Sequence, residues 1–310
     1  MIGYVGRRLA QSVPVILGIV LAAFLLIRLA PGDPANVLLG PRATEASLAA
    51  LRERLALDEP LPVQFLAYLG GVATLEFGTS TVYRAPVADV TGNRFLVSLA
   101  LLGYAVTIAV LIAVPLGLLS ALRRNRITDH LVRLLTMVTF AMPAFWLGLM
   151  LVLILSIGLD LLPTSGLGRD PVSFVLSLTL PALTIGLYLA PMLLRSLRTS
   201  AIETLGSEHI EAARARGLSE RRVVLRHVLR NSITAMITVL GVNVGFLLSG
   251  TVVVENVFAI PGVGTLLVSS IVARDFAVIQ TLTLLFGVSV IAVNLLTDLS
   301  YATLDPRVRL

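Results

Sequence analysis

Six stretches without a charged side chain, each long enough to cross a lipid bilayer, fix what this chain can become. They cover residues 9–27, 95–122, 134–159, 171–194, 231–254 and 276–297. A helix needs roughly 20 mainly apolar residues to span the hydrocarbon core. Backbone groups in lipid find no water, so each segment must satisfy its own N–H and C=O groups by coiling into a helix. The expected fold is therefore an all-α polytopic membrane protein with six transmembrane helices. Composition agrees, with 56% hydrophobic residues, 14% charged residues and a mean hydropathy of +0.93. A soluble domain carries roughly 25% charged residues, and one of this length could not hide so much apolar surface in a core.

The first stretch follows Arg7 and Arg8, as in a signal peptide, but its apolar run exceeds the usual 7–15 residues or so. It reads as a retained span. A seventh uncharged run, 256–273, is broken near its start by Pro261-Gly262-Val263-Gly264, and the remainder is too short to cross comfortably. Charge distribution agrees. With six spans, Arg7 and Arg8 share a side with Arg123, Arg124, Arg126, Arg133, the arginines between 195 and 230, Arg307 and Arg309. Acids outnumber arginines in the opposite segment, 30–94. The positive-inside rule then puts both termini in the cytoplasm.

Net charge is +6, with a pI near 10.4. The positive residues lie between apolar runs rather than on a polar domain, so they point to topology control and not to nucleic acid. The chain has no cysteine, hence no disulfide framework or thiolate site. It also has no lysine. A Walker A loop needs a lysine on the nucleotide phosphates, and a Schiff-base enzyme needs a lysine amine. Any ATP hydrolysis that drives this protein must occur on another polypeptide.

The outer segment 30–94 is punctuated by prolines. Thr44 is placed to cap a short helix with Leu48, Leu51 and Leu55 on one face, and Asp58-Glu59-Pro60 to stop it. It reads either as a packed lid or as a docking surface. The inner segment 199–230 is longer than a simple connection requires. Residues 207–216, rich in alanine and mixed charge, predict a helix, and Gly217 predicts its stop. A second helix from Ser219 or Glu220 leads into the fifth span. On it Arg222, Arg226 and Arg230, at i, i+4 and i+8, suit lipid headgroups.

At this inner loop the sequence resembles the inner-membrane permease subunits of binding-protein-dependent ABC importers. Glu211-Ala212-Ala213, three residues, then Gly217 match that family's "EAA" loop. The stretch His227-Val228-Leu229-Arg230 departs from the general I-x-L-P ending in the manner of the oligopeptide/dipeptide branch. Pro31-Gly32-Asp33-Pro34, Leu57-Asp58-Glu59-Pro60-Leu61, Pro143-Ala144-Phe145-Trp146-Leu147-Gly148, Glu255-Asn256-Val257-Phe258 with Pro261-Gly262-Val263-Gly264, and Asp305-Pro306-Arg307 resemble the same branch in the same order.

The resemblance implies a type I ABC importer permease fold in the bacterial cytoplasmic membrane, forming half of a translocation pathway. It implies an N-terminal addition, 1–94, before a permease core, 95–310, and a coupling loop in which Glu211, Ala212, Ala213 and Gly217 meet the ATPase. It also implies a second homologous permease subunit, cytoplasmic ATP-binding subunits and an extracytoplasmic substrate-binding protein, with membrane lipid around them and no cofactor. Di- and oligopeptides are the expected cargo, with nickel chelates, glutathione or other small solutes as alternatives.

Other candidate residues follow from position. Asn243 and Asn294 lie within spans, where they either line the pathway or form interhelical hydrogen bonds. Pro143 either forms a gate or merely kinks its helix. Glu255, Pro261 and Gly262, at the outer exit of the fifth span, either anchor a turn or contact the binding protein. His130, His209 and His227 are too scattered for a metal site. An intramembrane serine protease needs a histidine or lysine at membrane depth, and a membrane metalloprotease needs H-E-x-x-H; the sequence has neither. An ion-coupled secondary transporter usually keeps a charge inside the membrane, and the centres of these six spans hold none.

Overall fold

A computed structural model describes residues 2–29, 34–40, 43–54 and 57–304. The helices, in chain order, are α1 (Ile2–Leu29), α2 (Pro34–Leu39), α3 (Glu45–Arg54), α4 (Leu61–Ala73), α5 (Val87–Leu122), α6 (Ile127–Ala141), α7 (Ala144–Leu151), α8 (Pro171–Leu205), α9 (Glu208–Ala215), α10 (Glu220–Arg222), α11 (Leu229–Val257), α12 (Val263–Ala273) and α13 (Phe276–Leu304). π-helical segments Val152–Gly158 and Val223–Val228 follow α7 and α10. Among the described residues there is no strand; a lone antiparallel bridge joins Thr79 and Pro86.

Among the described residues, five helical stretches are long and apolar enough to cross a membrane: Gly6–Leu26, Val87–Leu122, Pro171–Leu205, Glu220–Asn243 and Phe276–Thr297. The expected third span, 134–159, is not one rod. α6 and the run Ala144–Gly158 meet at 106°, and counting them as one broken span brings the number to six. Proline explains the break. Pro143 has no N–H to donate, and it drives Met142 out of the helical region to φ −82°, ψ 132°. Pro115, Pro181 and Pro191, by contrast, remain inside helices α5 and α8. The seventh uncharged run ends as α12, of 11 residues, too short to span.

The chain divides into two compact units. One comprises Ala100–Ile260 with Val293–Leu310, the other Ile2–Leu99 with Pro261–Ala292. In the first, α8 is the central rod. Asp170 caps it, accepting from the backbone N–H groups of Val172 and Ser173 at 3.1 Å each, while Ser173 Oγ accepts from the Asp170 N–H. This is a capping box with Pro171 opening the helix. α5 meets α8 where Ala105 and Ile108 face Gly186 and where Gly117 faces Leu194 and Leu197, and Ala105, Ala109 and Ala113 of α5 are fully buried. A Cβ on Gly186 would come within 2.9 Å of Ile108, so the close crossing of α5 and α8 requires glycine there. Gly241 of α11 likewise meets Thr297 of α13, where a Cβ would fall 2.3 Å from the threonine side chain.

In the second unit, Val87, Val263, Leu266, Ala277, Val278 and Leu282 form a buried cluster. Val20 and Ala23 of α1 pack with Leu284 of α13. Asp275 is fully buried where α13 begins. Its carboxylate accepts from Ser80 Oγ and, at 3.3 Å, from the Val82 N–H, so it ties the outer segment to the helix start. α3 begins after Thr44, whose Oγ1 accepts from the Ser47 N–H at 3.2 Å while Ser47 Oγ accepts from the Thr44 N–H at 3.0 Å. Leu55, Pro31-Gly32-Asp33 and Asp305-Pro306-Arg307 lie outside the described residues.

Candidate functional site

The EAA residues fall on α9, an isolated two-turn helix between α8 and the path into α11. Its length is set at both ends by local chemistry. Ser207 occupies the N-cap position, followed by Glu208 and Glu211 in the first turn, where acids oppose the positive end of the helix dipole. At the other end Gly217 takes φ +78°. The Leu218 N–H reaches Ala213 O at 3.3 Å and the Gly217 N–H reaches Arg214 O at 2.8 Å. That pair of bonds is a Schellman stop, which needs the left-handed residue that glycine supplies without a Cβ penalty.

One face of α9 is anchored and the other is free. Ile210 and Ala213 are buried, as are Val223 and Val228 of the π segment that packs on α9. Glu211, Ala212 and Gly217 are exposed. Thus Ala213 serves the anchor, and Glu211 and Ala212 present the outward surface. Arg214 spans the glycine turn to Glu220, with Nε 2.7 Å from Oε1. The Glu220 carboxylate pushes the Arg214 guanidinium pKa up. His209 Nε2 lies 3.4 Å from Asn231 Nδ2 on α11. Helix α10 starts after Ser219, within the expected range. The π-helical hydrogen bonding at Val223–Val228 was not legible from residue spacing, yet Arg222, Arg226 and Arg230 are all exposed.

Just outside this element the structure supplies a polar cluster that sequence spacing does not reveal. Asp129 of α6 is fully buried. Its carboxylate accepts from Ser120 Oγ of α5, from the Asn125 N–H at 3.0 Å, and from Arg198 of α8. A buried carboxylate is tolerated only when paired and hydrogen-bonded, and here three elements converge on it. The available signal was an acid within an arginine-rich inner segment, four residues after a tight turn at Asn125, which has φ +63°.

The remaining candidates are dispersed. Asn243 of α11 donates to its own helix, at Val239 O, 2.7 Å. That bond uses one of the two amide N–H groups and leaves the second, with the carbonyl oxygen, for a neighbouring helix or the pathway. Asn294 is exposed on α13. Pro143 sits at the α6–α7 break. Glu255 is fully buried near the end of α11, and its carbonyl accepts from the Ile260 N–H at 2.9 Å. Pro261 is exposed and Gly262 is the buried N-cap of α12. Among the described residues no group of His, Asp or Glu is placed to hold a metal ion.

Comparison with known proteins agrees with this architecture. Residues 113–310 match the family model described as "Binding-protein-dependent transport system inner membrane component", and residues 1–102 match its companion, "Binding-prot-dependent transport system membrane comp, N-term". The glutathione transport system permease protein GsiC of Salmonella typhimurium is 41% identical over 309 residues, 100% of this chain and 99% of that protein. Its counterpart in Escherichia coli K12 is 38% identical over the same shares. Among solved structures, an inward-facing form of the MetNI methionine ABC transporter aligns with a TM-score of 0.57 at 16% identity, over 68% of this chain and 94% of that one. An amino acid ABC transporter aligns with a TM-score of 0.53 at 16% identity, over 70% and 94%. At such identities these two show the fold, a type I ABC importer permease. Fold, family models and full-length relatives converge: this chain belongs to the binding-protein-dependent transport system inner membrane components, as a multi-pass permease subunit of an ABC importer and not an enzyme.

Proposed function

We propose that this permease forms half of the pathway of a short-peptide importer, paired with a second homologous permease subunit and driven through α9. The observation that carries the reading is the division of α9 into a buried anchor, Ile210 and Ala213, and an exposed face, Glu211 and Ala212. A helix fixed in this way transmits a push to its neighbours instead of rolling under it. It is joined to α8 by Gly206 and Ser207 and packed on the π segment that leads into α11. Closure of cytoplasmic ATP-binding subunits on the exposed face would displace both spans together, the rigid-body event that alternating access requires.

The cargo assignment rests on the relatives, named for transport of glutathione, itself a tripeptide. An extracytoplasmic binding protein would deliver it. Residues 1–94 act as an addition to a core that starts near Phe95. Asn243, Asn294 and Pro143 are assigned to the pathway wall and its gate, and exposed Pro261 with Gly262 and Glu255 to the outer turn that receives the binding protein.

The cysteine-free chain makes the test direct. In intact cells, A212C should resist a membrane-impermeant thiol reagent applied from outside. In inverted vesicles it should react, and it should cross-link to an ATP-binding subunit. Labelling from the outer face would end the proposal. Uptake of tripeptide by the assembled complex, dependent on ATP and on the binding protein, tests the cargo.

A further inference from the structure

The inner half of α8 lines a cavity of about 530 Å³, with Arg195, Thr199, Ser200 and Glu203 on its polar side and Phe140 of α6 and Val239 of α11 among its apolar walls. That volume lies within the ~300–1,000 Å³ typical of small-molecule sites. Its charges are arranged unusually. Arg195 and Glu203 are both exposed, and lie eight residues apart on one helix. At 1.5 Å rise per residue their Cα atoms are about 12 Å apart along the axis. Among the described residues, the α8 charge engaged in an ion pair is Arg198, held by Asp129.

We propose that this cavity is a cargo site for zwitterionic peptides of three or four residues, a proposal that rests on the importer reading. The Arg195 guanidinium receives the peptide carboxylate in a forked, charge-assisted bond, and Glu203 receives the terminal ammonium. An extended chain covers ~3.3–3.6 Å per residue, so three or four residues match the ~12 Å of helix between the Cα atoms that carry the two charged side chains. A ligand of one sign would be attracted at one end and repelled at the other. The hydroxyls of Thr199 and Ser200 lie between the charges, suited to peptide amides common to every sequence. Phe140 and Val239 offer apolar contact without a shaped side-chain pocket. The site thus reads the two termini and the length, and leaves the side chains unread. α8 runs inward toward α9, so Glu203 is the inner of the two charges and the peptide would leave amino end first.

The test uses the complex of both permeases and the ATP-binding subunits, purified without binding protein. The probes are tri-alanine, its N-acetyl form and its C-terminal amide, with affinities measured by calorimetry. Tri-alanine should bind the wild-type complex, and blocking either end should weaken it about tenfold. In E203Q, N-acetylation should no longer matter while amidation still does; in R195Q the reverse should hold. That crossed pattern cannot arise from misfolding, and assembly of each variant is followed by size exclusion. Failure of tri-alanine to bind the wild type, affinity indifferent to both end groups, or displacement by phosphatidylethanolamine, whose phosphate and ammonium are only two carbons apart, would each overturn the site. ATP-driven uptake of tri-alanine that ignores both substitutions would refute the site and leave the importer reading standing. Absence of any peptide uptake would refute the cargo reading itself.

Discussion

Arg198 grips Asp129 as a fork, Nε to Oδ1 and Nη2 to Oδ2 at 2.9 Å each, across 69 residues of chain. The acid is sealed from solvent and the arginine side chain is 18% exposed. Without Arg198 the buried carboxylate keeps Ser120, the Asn125 N–H and a half-exposed Arg133 at 3.7 Å, so the loss should lie at or below the ~3–5 kcal/mol of a broken buried pair. D129A and R198A should therefore lower the thermal unfolding midpoint of the detergent-purified protein markedly. R198K should recover only part of the loss, since an ammonium cannot reproduce the fork. The double variant D129L/R198L should lie nearer the wild type than either single change. Equal midpoints for D129A and the wild type would show that the pair contributes nothing.

Gly217 has open space where a Cβ would project, so any cost of substitution there is conformational. A left-handed backbone costs a side-chain-bearing residue about 1–2 kcal/mol, with asparagine among the mildest. G217V should fray the end of α9 and lower peptide uptake while ATP is still hydrolysed, and G217N should fall between G217V and the wild type. Parallel assays of uptake and ATP turnover in proteoliposomes measure this. Unimpaired uptake by G217V would separate the glycine from coupling.

Much of this architecture could be read before any coordinates. Uninterrupted apolar runs announced the spans, because lipid imposes a single solution on the backbone. Gly217 announced the end of α9 because few residues tolerate its conformation. What escaped was set by neighbours distant in sequence or by small differences in geometry. Pro143 could as well have sat inside a continuous helix, as Pro181 and Pro191 do within α8. The distinction depends on what surrounds each proline. Asp129 pairs with Arg198, and Asp275 with Ser80 at a separation of 195 residues, and no local pattern encodes either partnership. In α9, the motif identified Ala212 and Ala213 together, while the fold leaves Ala212 exposed and buries Ala213.

The contact between Gly241 and Thr297 leaves no room for a methyl group. G241A should force α11 and α13 apart, an overpacking cost of about 1–3 kcal/mol. G241V should be worse. Adding T297G to G241A should restore part of the loss, because it removes the atoms that a new Cβ would strike. Thermal unfolding of the three variants checks this, and a G241A midpoint equal to the wild type would refute the close approach.

Asp170 offers a pH-dependent contrast at the outer end of α8. Hydrogen bonds from the Ser173 side chain and the backbone hold its carboxyl below the usual carboxylate range. A folded-state pKa that is depressed means the cap stabilises above the unfolded value and is lost as pH falls through the folded one. The gap in unfolding midpoint between the wild type and D170A should hence be full at neutral pH and close as pH drops below the ordinary carboxylate range. A gap constant across that titration would show that the charge is irrelevant to the cap.

Helix α8 holds 35 residues, about 52 Å at 1.5 Å per residue. A bilayer is about 30 Å through its hydrocarbon and 40–45 Å with its headgroups. If its outer end stands level with one headgroup surface, its inner end projects past the other, and α9 is held off the membrane on a stalk of protein. A partner that docked on α9 would have no lipid to displace, so its grip should be insensitive to the composition of the inner leaflet.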